Sequence, residues 1–420
     1  MLRLSVIIPV YNVEDCLADC LDSILGDASA DAAQGWQVEV IAVDDCSTDS
    51  SLSILDAYAA FDTRLRLLRT ERNSGSGPAR NLGFAHATGD YVWFVDADDV
   101  VVPGAIGHVL RRLSEATGAR RPDVLLVGHE KIDDEGRPAA GNLDQLVATA
   151  PMRPATSRPG EQTRPGEQIN RSRGLLRPGR TGVSRAAPAR QCPTNIALTG
   201  FALSEWPEAI HYTHTPWTKI VRRRFLADTG LTFPSGWYTD LPWTYGLLVR
   251  AARIAVLPSV VYRWRQRRSG SITRTQDRRH FEVFTQWERT WSALPETVPQ
   301  AIRRELFARM AWHLLLVAGN NERIRPRDRR AFFRRAARLY RRYLPPEGYP
   351  IPGGVNGLKQ RILASGSYSG YALTRLAWRT WNGLRPQREE ELAPPQQTSH
   401  SALGRPHSRP TGQSRRRIRA

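Results

Sequence analysis

Residues 4–12 read LSVIIPVYN, an unbroken apolar run that stops on a proline, a tyrosine and an asparagine. A strand without polar alternation is buried on both faces, and such strands belong to parallel sheets sandwiched between helices. The chain beyond keeps that rhythm. Residues 14–25 carry Leu17, Leu21, Ile24 and Leu25 at helical spacing, and VEVIAV at 38–43 is a second strand. Ser47 or Thr48 is placed to cap a helix whose apolar face is Ile54, Leu55 and Tyr58. RLRLLR at 64–69 is a third strand, residues 78–87 a short helix opened by proline, and YVWFV at 91–95 a fourth strand. A helix over 104–117 then leads to the strand DVLLVG at 123–128. This alternation predicts an α/β fold, Rossmann-like, with a mainly parallel sheet.

Composition changes after residue 150. Residues 151–194 are rich in Arg, Pro and Gly, repeat RPGEQ, and offer almost nothing to bury, so a disordered insertion is expected there. Globular patterning returns over 195–280, a set of basic helices is expected over 281–385, and 386–420 reads as a free basic tail. The 420 residues hold 60 Lys or Arg against 41 Asp or Glu, a net charge of +19, which favours anionic partners without choosing among them. Hydrophobic residues make up 41% of the chain, enough for a substantial core, which excludes a fully disordered or fibrous protein. Four cysteines, Cys16, Cys20, Cys46 and Cys192, are too few to staple a chain of this length. With no leader-like segment and no apolar stretch near the roughly 20 residues of a spanning helix, a reduced, cytoplasmic protein is expected.

Ligands of an open parallel sheet bind at the carboxyl ends of its strands. Here those ends carry Pro9, Tyr11 and Asn12 in VIIPVYN, Asp44 and Asp45 in VDDCSTD, and Asp96, Asp98 and Asp99 in VDADD. A single Asp in a turn is a turn former. Clustered acids repel one another unless a cation or donors neutralise them, and Asp96 and Asp98, two apart on an extended segment, would share one side and one divalent cation.

The order of these motifs resembles the family 2 glycosyltransferases, which have a glycosyltransferase-A fold. VIIPVYN, VDDCSTD, NSGSGPARNLG, VDADD and YTDLPW follow one another as in that family. A closer likeness, to the glycosyltransferase domains of actinobacterial cell-wall polymer enzymes of teichoic-acid type, runs through PWTKIVRRRFL, YRWRQRRSGSIT and GGVNGLKQRILASGSY. The resemblance covers residues 3–150 and 196–385. It implies that Pro9, Tyr11, Asn12, Asp44, Asp45, Asn73, Gly75, Arg80, Asp96 and Ala97 hold a nucleotide-sugar, with Asp98 and Asp96 on Mn²⁺ or Mg²⁺. It implies that Asp240 is the base of an inverting transfer, Thr239 standing where the family has Glu. Trp217, Lys219, Thr239, Arg265 and Ser269 are implied as acceptor or diphosphate contacts.

The implied activity is transfer of a sugar, most simply from UDP, to a hydroxyl of a lipid-linked cell-envelope polymer. An idle sugar-nucleotide-binding or scaffolding protein at the membrane is the alternative from another class. Cys16 and Cys20, one helical turn apart, are expected in the core, and His211 and His214 in a loop rather than on a metal. In RRAFFRRAARLYRR, residues 329–342, an apolar stripe flanked by guanidinium groups is expected to pack on the domain with charge toward an anionic membrane surface. No nucleic-acid reader motif accompanies the basic surplus, and no nucleic-acid partner is expected.

Overall fold

The structure is a computed structural model and describes residues 2–31, 35–138, 200–266 and 272–383. The expected insertion at 151–194, the expected tail at 386–420, Cys192 and Ser269 lie outside the described residues. The chain divides into two units, residues 1–372 and 373–420. The first is described below; of the second, the described part is the end of the last helix.

The strands are β1 (Arg3–Val10), β2 (Gln37–Asp44), β3 (Leu65–Arg69), β4 (Tyr91–Phe94), β5 (Val100–Val101), β6 (Val124–Ile132), β7 (Lys219–Arg222) and β8 (Ile254–Arg265). The helices are α1 (Glu14–Asp31), α2 (Ser51–Phe61), α3 (Ser76–His86), α4 (Ala105–Ser114), α5 (Arg223–Thr229) and α6 (Asp240–Arg250). They continue as α7 (Glu282–Ser292), α8 (Gln300–Gly319), α9 (Arg329–Arg342), α10 (Gly354–Ser365) and α11 (Tyr368–Gly383). One eight-stranded sheet runs in the order β3-β2-β1-β4-β7-β6-β8-β5. Its first four strands are parallel, as expected. Beyond them the sheet is mixed. β7, which follows residues 139–199, enters antiparallel between β4 and β6, while β8 runs parallel to β6 and antiparallel to β5.

The unbroken apolar runs have the cause anticipated, because both faces of the sheet are covered. Val6, Ile8, Val40 and Ala42 pack on one side with Leu17, Leu21 and Ile24 of α1 and Ile106 and Leu110 of α4. Ile7, Ile41 and Val43 pack on the other with Ala79 of α3, Trp243 of α6 and a core that continues through α7, α8 and α9. The helices from residue 282 onward are therefore joined to the sheet by one apolar cluster. Close approach of α3 depends on glycine: a Cβ on Gly83 would stand 2.4 Å from Cγ2 of Ile7, and one on Gly77 would stand 2.4 Å from the Pro234 carbonyl.

Capping differs from expectation. Neither Ser47 nor Thr48 caps α2; Asp49 Oδ1 accepts the Ser51 N–H at 2.9 Å, while Ser47 and Thr48 bond to Asn12. In α9 the apolar stripe expected from sequence is buried, namely Phe332, Phe333, Ala336, Leu339 and Tyr340, and Arg330, Arg334, Arg338 and Arg341 are exposed. Cys16 and Cys20 are buried in the core, as expected. Among the described residues no helix is long and apolar enough to cross a membrane.

Candidate active site

The turns after β1, β2 and β4 lie at one edge of the parallel strands. Asn12 ties the first to the second. Its N–H donates to Ser47 Oγ (3.2 Å), its Oδ1 accepts the Thr48 N–H (2.8 Å) and its Nδ2 donates to Thr48 Oγ1 (3.1 Å). Asp44 is wholly buried, accepts the Ser47 N–H at 3.1 Å and faces Nε of Arg69 at 3.3 Å. Asp45, 2% exposed, holds the next loop: its carboxylate accepts the Ser74 N–H (3.0 Å), the Gly75 N–H (2.6 Å) and the Thr70 hydroxyl (2.8 Å). Gly75 has φ 88°, which glycine adopts freely, and α3 starts at the next residue. Tyr11 remains 45% exposed above these turns.

From α3, Arg80 reaches the turn after β4. Its Nη2 donates to Asp96 Oδ1 at 2.6 Å, its Nη1 to Ser76 Oγ at 3.2 Å, and its buried Nε–H has no hydrogen-bond partner among the described residues. Asn81 of the same helix exchanges two hydrogen bonds with the backbone of Phe233, at 2.8 and 2.9 Å, and so joins α3 to the loop that leads into α6. The 96–99 segment is a turn, closed by the Asp99 N–H on the Asp96 carbonyl at 3.1 Å. That corrects the extended geometry expected for Asp96 and Asp98, so strand alternation is not what sets the direction of their carboxylates. Asp99 is buried, accepts the Tyr262 hydroxyl at 2.6 Å and the Arg265 N–H at 2.8 Å, and is pushed well above the usual carboxylate range by burial and by Asp98 and Asp96. Three carboxylates thus crowd into four residues, with Arg80 on Asp96 and the Tyr262 hydroxyl and Arg265 N–H on Asp99.

Asp240 is the first residue of α6, behind Thr239. The chain enters through Tyr238 at φ 60°, a conformation a bulky residue adopts only when its surroundings hold it. Here the Tyr238 hydroxyl meets His280 Nδ1 at 2.6 Å. The three described non-glycine residues at positive φ, namely Asn12, Cys46 and Tyr238, all lie in turns of this site. Burial pushes Asp240 up to about 6, with Asp96 adding to the rise and Arg80, its own N–H and Lys219 opposing it. Asp240, Arg80 and Asp96 therefore form one electrostatic cluster. On its other side Asp240 Oδ2 lies 3.4 Å from His214 Nε2.

Residues 5–152 match the family described as Glycosyl transferase family 2. The chain carries a family 2 glycosyltransferase domain. Among curated relatives, "Glycosyltransferase GlyG" of Streptococcus pneumoniae is 34% identical over 132 residues, which is 31% of this chain and 40% of the relative. "Poly(ribitol-phosphate) beta-glucosyltransferase" of Bacillus spizizenii is 40% identical over 101 residues, 24% of this chain and 15% of the relative. The match thus spans 40% or less of the length of these two relatives. Among solved structures, S. aureus TarS 1-349 in complex with UDP-GlcNAc aligns with TM-score 0.61 at 20% identity, over 90% of this chain and 92% of that one. This likeness establishes the glycosyltransferase-A fold.

Two expected contacts turn inward. Lys219 is fully buried, and its ammonium donates to the carbonyls of Thr213 (2.5 Å) and Thr215 (2.9 Å) and to Thr218 Oγ1 (2.8 Å). Trp217 is 2% exposed, its ring stacked on Tyr262 at 4.4 Å, and its carbonyl accepts the Trp93 indole N–H. Neither presents a surface to an acceptor. Arg265 braces the acidic turn, donating to the carbonyls of Asp98 (3.1 Å) and Asp134 (3.1 Å) and to Asp19 Oδ2 (2.9 Å). Thr239 and Ala97 are buried, whereas Asn73 is exposed and Pro9 half-buried. What Tyr262, Asn81, His214 and Arg309 do was not legible in the sequence, because each acts on a partner distant along the chain. His211 pairs with Glu305 at 2.7 Å.

Proposed function

We propose that this protein transfers a sugar from a nucleoside diphosphate, UDP above all, to a hydroxyl of a cell-envelope polysaccharide or polyol-phosphate, with inversion at the anomeric carbon. The observation that carries the reading is Asp240, a carboxylate raised to about 6 beside the Arg80–Asp96 pair. Such a group is ionised at neutral pH yet still basic enough to take a proton. Relatives named as poly(ribitol-phosphate) transferases, and the UDP and UDP-GlcNAc complexes of TarS, support the donor and acceptor classes.

On this reading Tyr11 stacks on the base and the loop held by Asp45 walls the ribose. The Arg80 guanidinium, held by Asp96 and Ser76 beside the acidic turn, is the cation that would face a diphosphate there. Asp240 takes the proton of the acceptor hydroxyl, the oxygen bonds to the anomeric carbon from the face opposite the diphosphate, and the bond to the diphosphate breaks with its electron pair. The crowded carboxylates fit a hard divalent cation. Among the described residues no three His, Cys, Asp or Glu side chains are arranged to hold a metal by themselves. Asp98 and Asp96 would therefore hold Mn²⁺ or Mg²⁺ together with diphosphate oxygens and water. When bound, the ion neutralises charge developing on the leaving diphosphate. The exposed Arg330, Arg334, Arg338 and Arg341 of α9 support attachment to the inner, anionic face of the membrane, where a lipid-linked acceptor would lie.

The test is a screen of UDP-, GDP-, CDP- and TDP-sugars for released nucleotide, alongside UDP affinity with and without Mn²⁺. UDP-sugar turnover is expected. UDP affinity should rise with Mn²⁺ in the wild type and be indifferent to it in Asp98→Asn. UDP bound tightly with no turnover of any donor would favour an idle binding protein, and an equal Mn²⁺ response in Asp98→Asn would remove the cation from that turn.

A further inference from the structure

We propose that His214 is a positioning residue for Asp240: its imidazole, gripped from behind by Arg309, presents Nε2–H to the carboxylate and holds it in one orientation. This rests on Asp240 being the base. The tautomer follows from the partners. Arg309 Nη2 lies 3.2 Å from His214 Nδ1, and a guanidinium can only donate, so Nδ1 offers its lone pair and the ring proton sits on Nε2. That nitrogen is the one 3.4 Å from Asp240 Oδ2. The contact is longer than a formed hydrogen bond, and catalytic hydrogen bonds are often long or poorly aligned in a structure without substrate.

Both ends of the arrangement are anchored. The Arg309 guanidinium, 8% exposed, also donates through Nε to the Tyr245 hydroxyl at 3.0 Å. The His214 carbonyl accepts the Thr244 hydroxyl at 2.6 Å. Thr244 and Tyr245 stand about one turn beyond Asp240 on α6, so the base, its neighbour and the arginine behind are all referenced to one rigid helix. Burial, followed by His313, Arg309, Lys219 and Arg323, holds His214 well below the usual histidine range. A neutral N–H donor orients the carboxylate without the full positive charge that would weaken it as a base. His214 lies in a loop, as expected from the sequence, and its half-buried ring stands between Arg309 and Asp240.

The experiment is steady-state transfer by the full chain with UDP-sugar, acceptor and Mn²⁺, in five variants. His214→Leu removes the donor; His214→Gln places an amide nitrogen near the Nε2 position, and His214→Asn places one near Nδ1, short of Asp240. Leu and Asn should lower kcat about 10- to 100-fold with the donor KM unchanged, and Gln should recover most of it. His214→Leu added to Asp240→Asn should cost nothing further. Wild-type turnover in His214→Leu, equal impairment of Gln and Asn, or an additive double variant would overturn the proposal. If Leu fails to fold, the Gln and Asn pair decides. Full activity in Asp240→Asn alone would instead refute the base itself, an outcome separable from a failure at His214.

Discussion

Asp240→Asn is expected to lower kcat by about 10² to 10⁴ while leaving donor affinity nearly unchanged and making the protein more stable at neutral pH. The two effects share one cause. Asp240 is raised from 3.8 to about 6, first by burial and then by Asp96. A carboxyl whose folded value exceeds its unfolded one holds its proton more tightly in the native state. Its contribution to stability is therefore complete below about 3.8 and is lost as pH rises to about 6. Above that the ionised group costs the fold on the order of 2–3 kcal/mol. An amide carries no such penalty. Thermal unfolding of the variant and wild type from pH 4 to 8 should show a gap in Tm that opens between pH 4 and 6 and then stays level. The wild-type rate should climb through the same interval as the base ionises. A variant that unfolds, or that turns over normally, would make Asp240 a helix-terminal residue and nothing more.

The second large effect is expected at Asp45. Its carboxylate satisfies two backbone N–H groups and a hydroxyl in the loop that ends at Gly75. Asp45→Asn replaces one acceptor oxygen with a donor that faces donors, and charge-assisted bonds of this kind are worth about 1.5–3 kcal/mol each. The loop should detach while the sheet stays folded, since neither apolar cluster depends on Asp45. UDP affinity measured by calorimetry should fall about 100-fold, the equivalent of two such bonds at the low end. Undiminished affinity would separate the loop from nucleotide binding.

The parallel half of the sheet could be read from sequence because a strand covered on both faces shows an unbroken apolar run, as β1 and β2 do. The antiparallel entry of β7 could not. KIVR carries no signal of direction, and its neighbours β4 and β6 both precede residues 139–199. At the site, strand-end position picked out Asp44, Asp45 and Asp96, and the family resemblance Asp240, but neither showed where each side chain points. Asp45 and Asn12 turn to neighbouring loops, and Lys219, chosen because it sits in PWTK, turns into a shell of carbonyls. Burial of a lysine against backbone acceptors depends on a local loop shape that spacing does not encode. His214 was passed over because Asp240 and Arg309 are its partners only in three dimensions. The spacing of NSGSGPARNLG, by contrast, has a cause at four of its positions: Gly77 and Gly83 allow close approach, Arg80 meets Asp96, and Asn81 holds Phe233.

The central claim is sugar transfer with inversion, and the most direct measurement is product analysis. The full chain is incubated with Mn²⁺, a UDP-sugar bearing a labelled sugar and a polyol-phosphate polymer, and the label on the polymer and its anomeric configuration are read by NMR. Label joined to polymer hydroxyls in the configuration opposite to that of the donor, and absent with Asp240→Asn, is the predicted result. Retained configuration, or UDP bound with no label transferred to any hydroxyl acceptor, would contradict it.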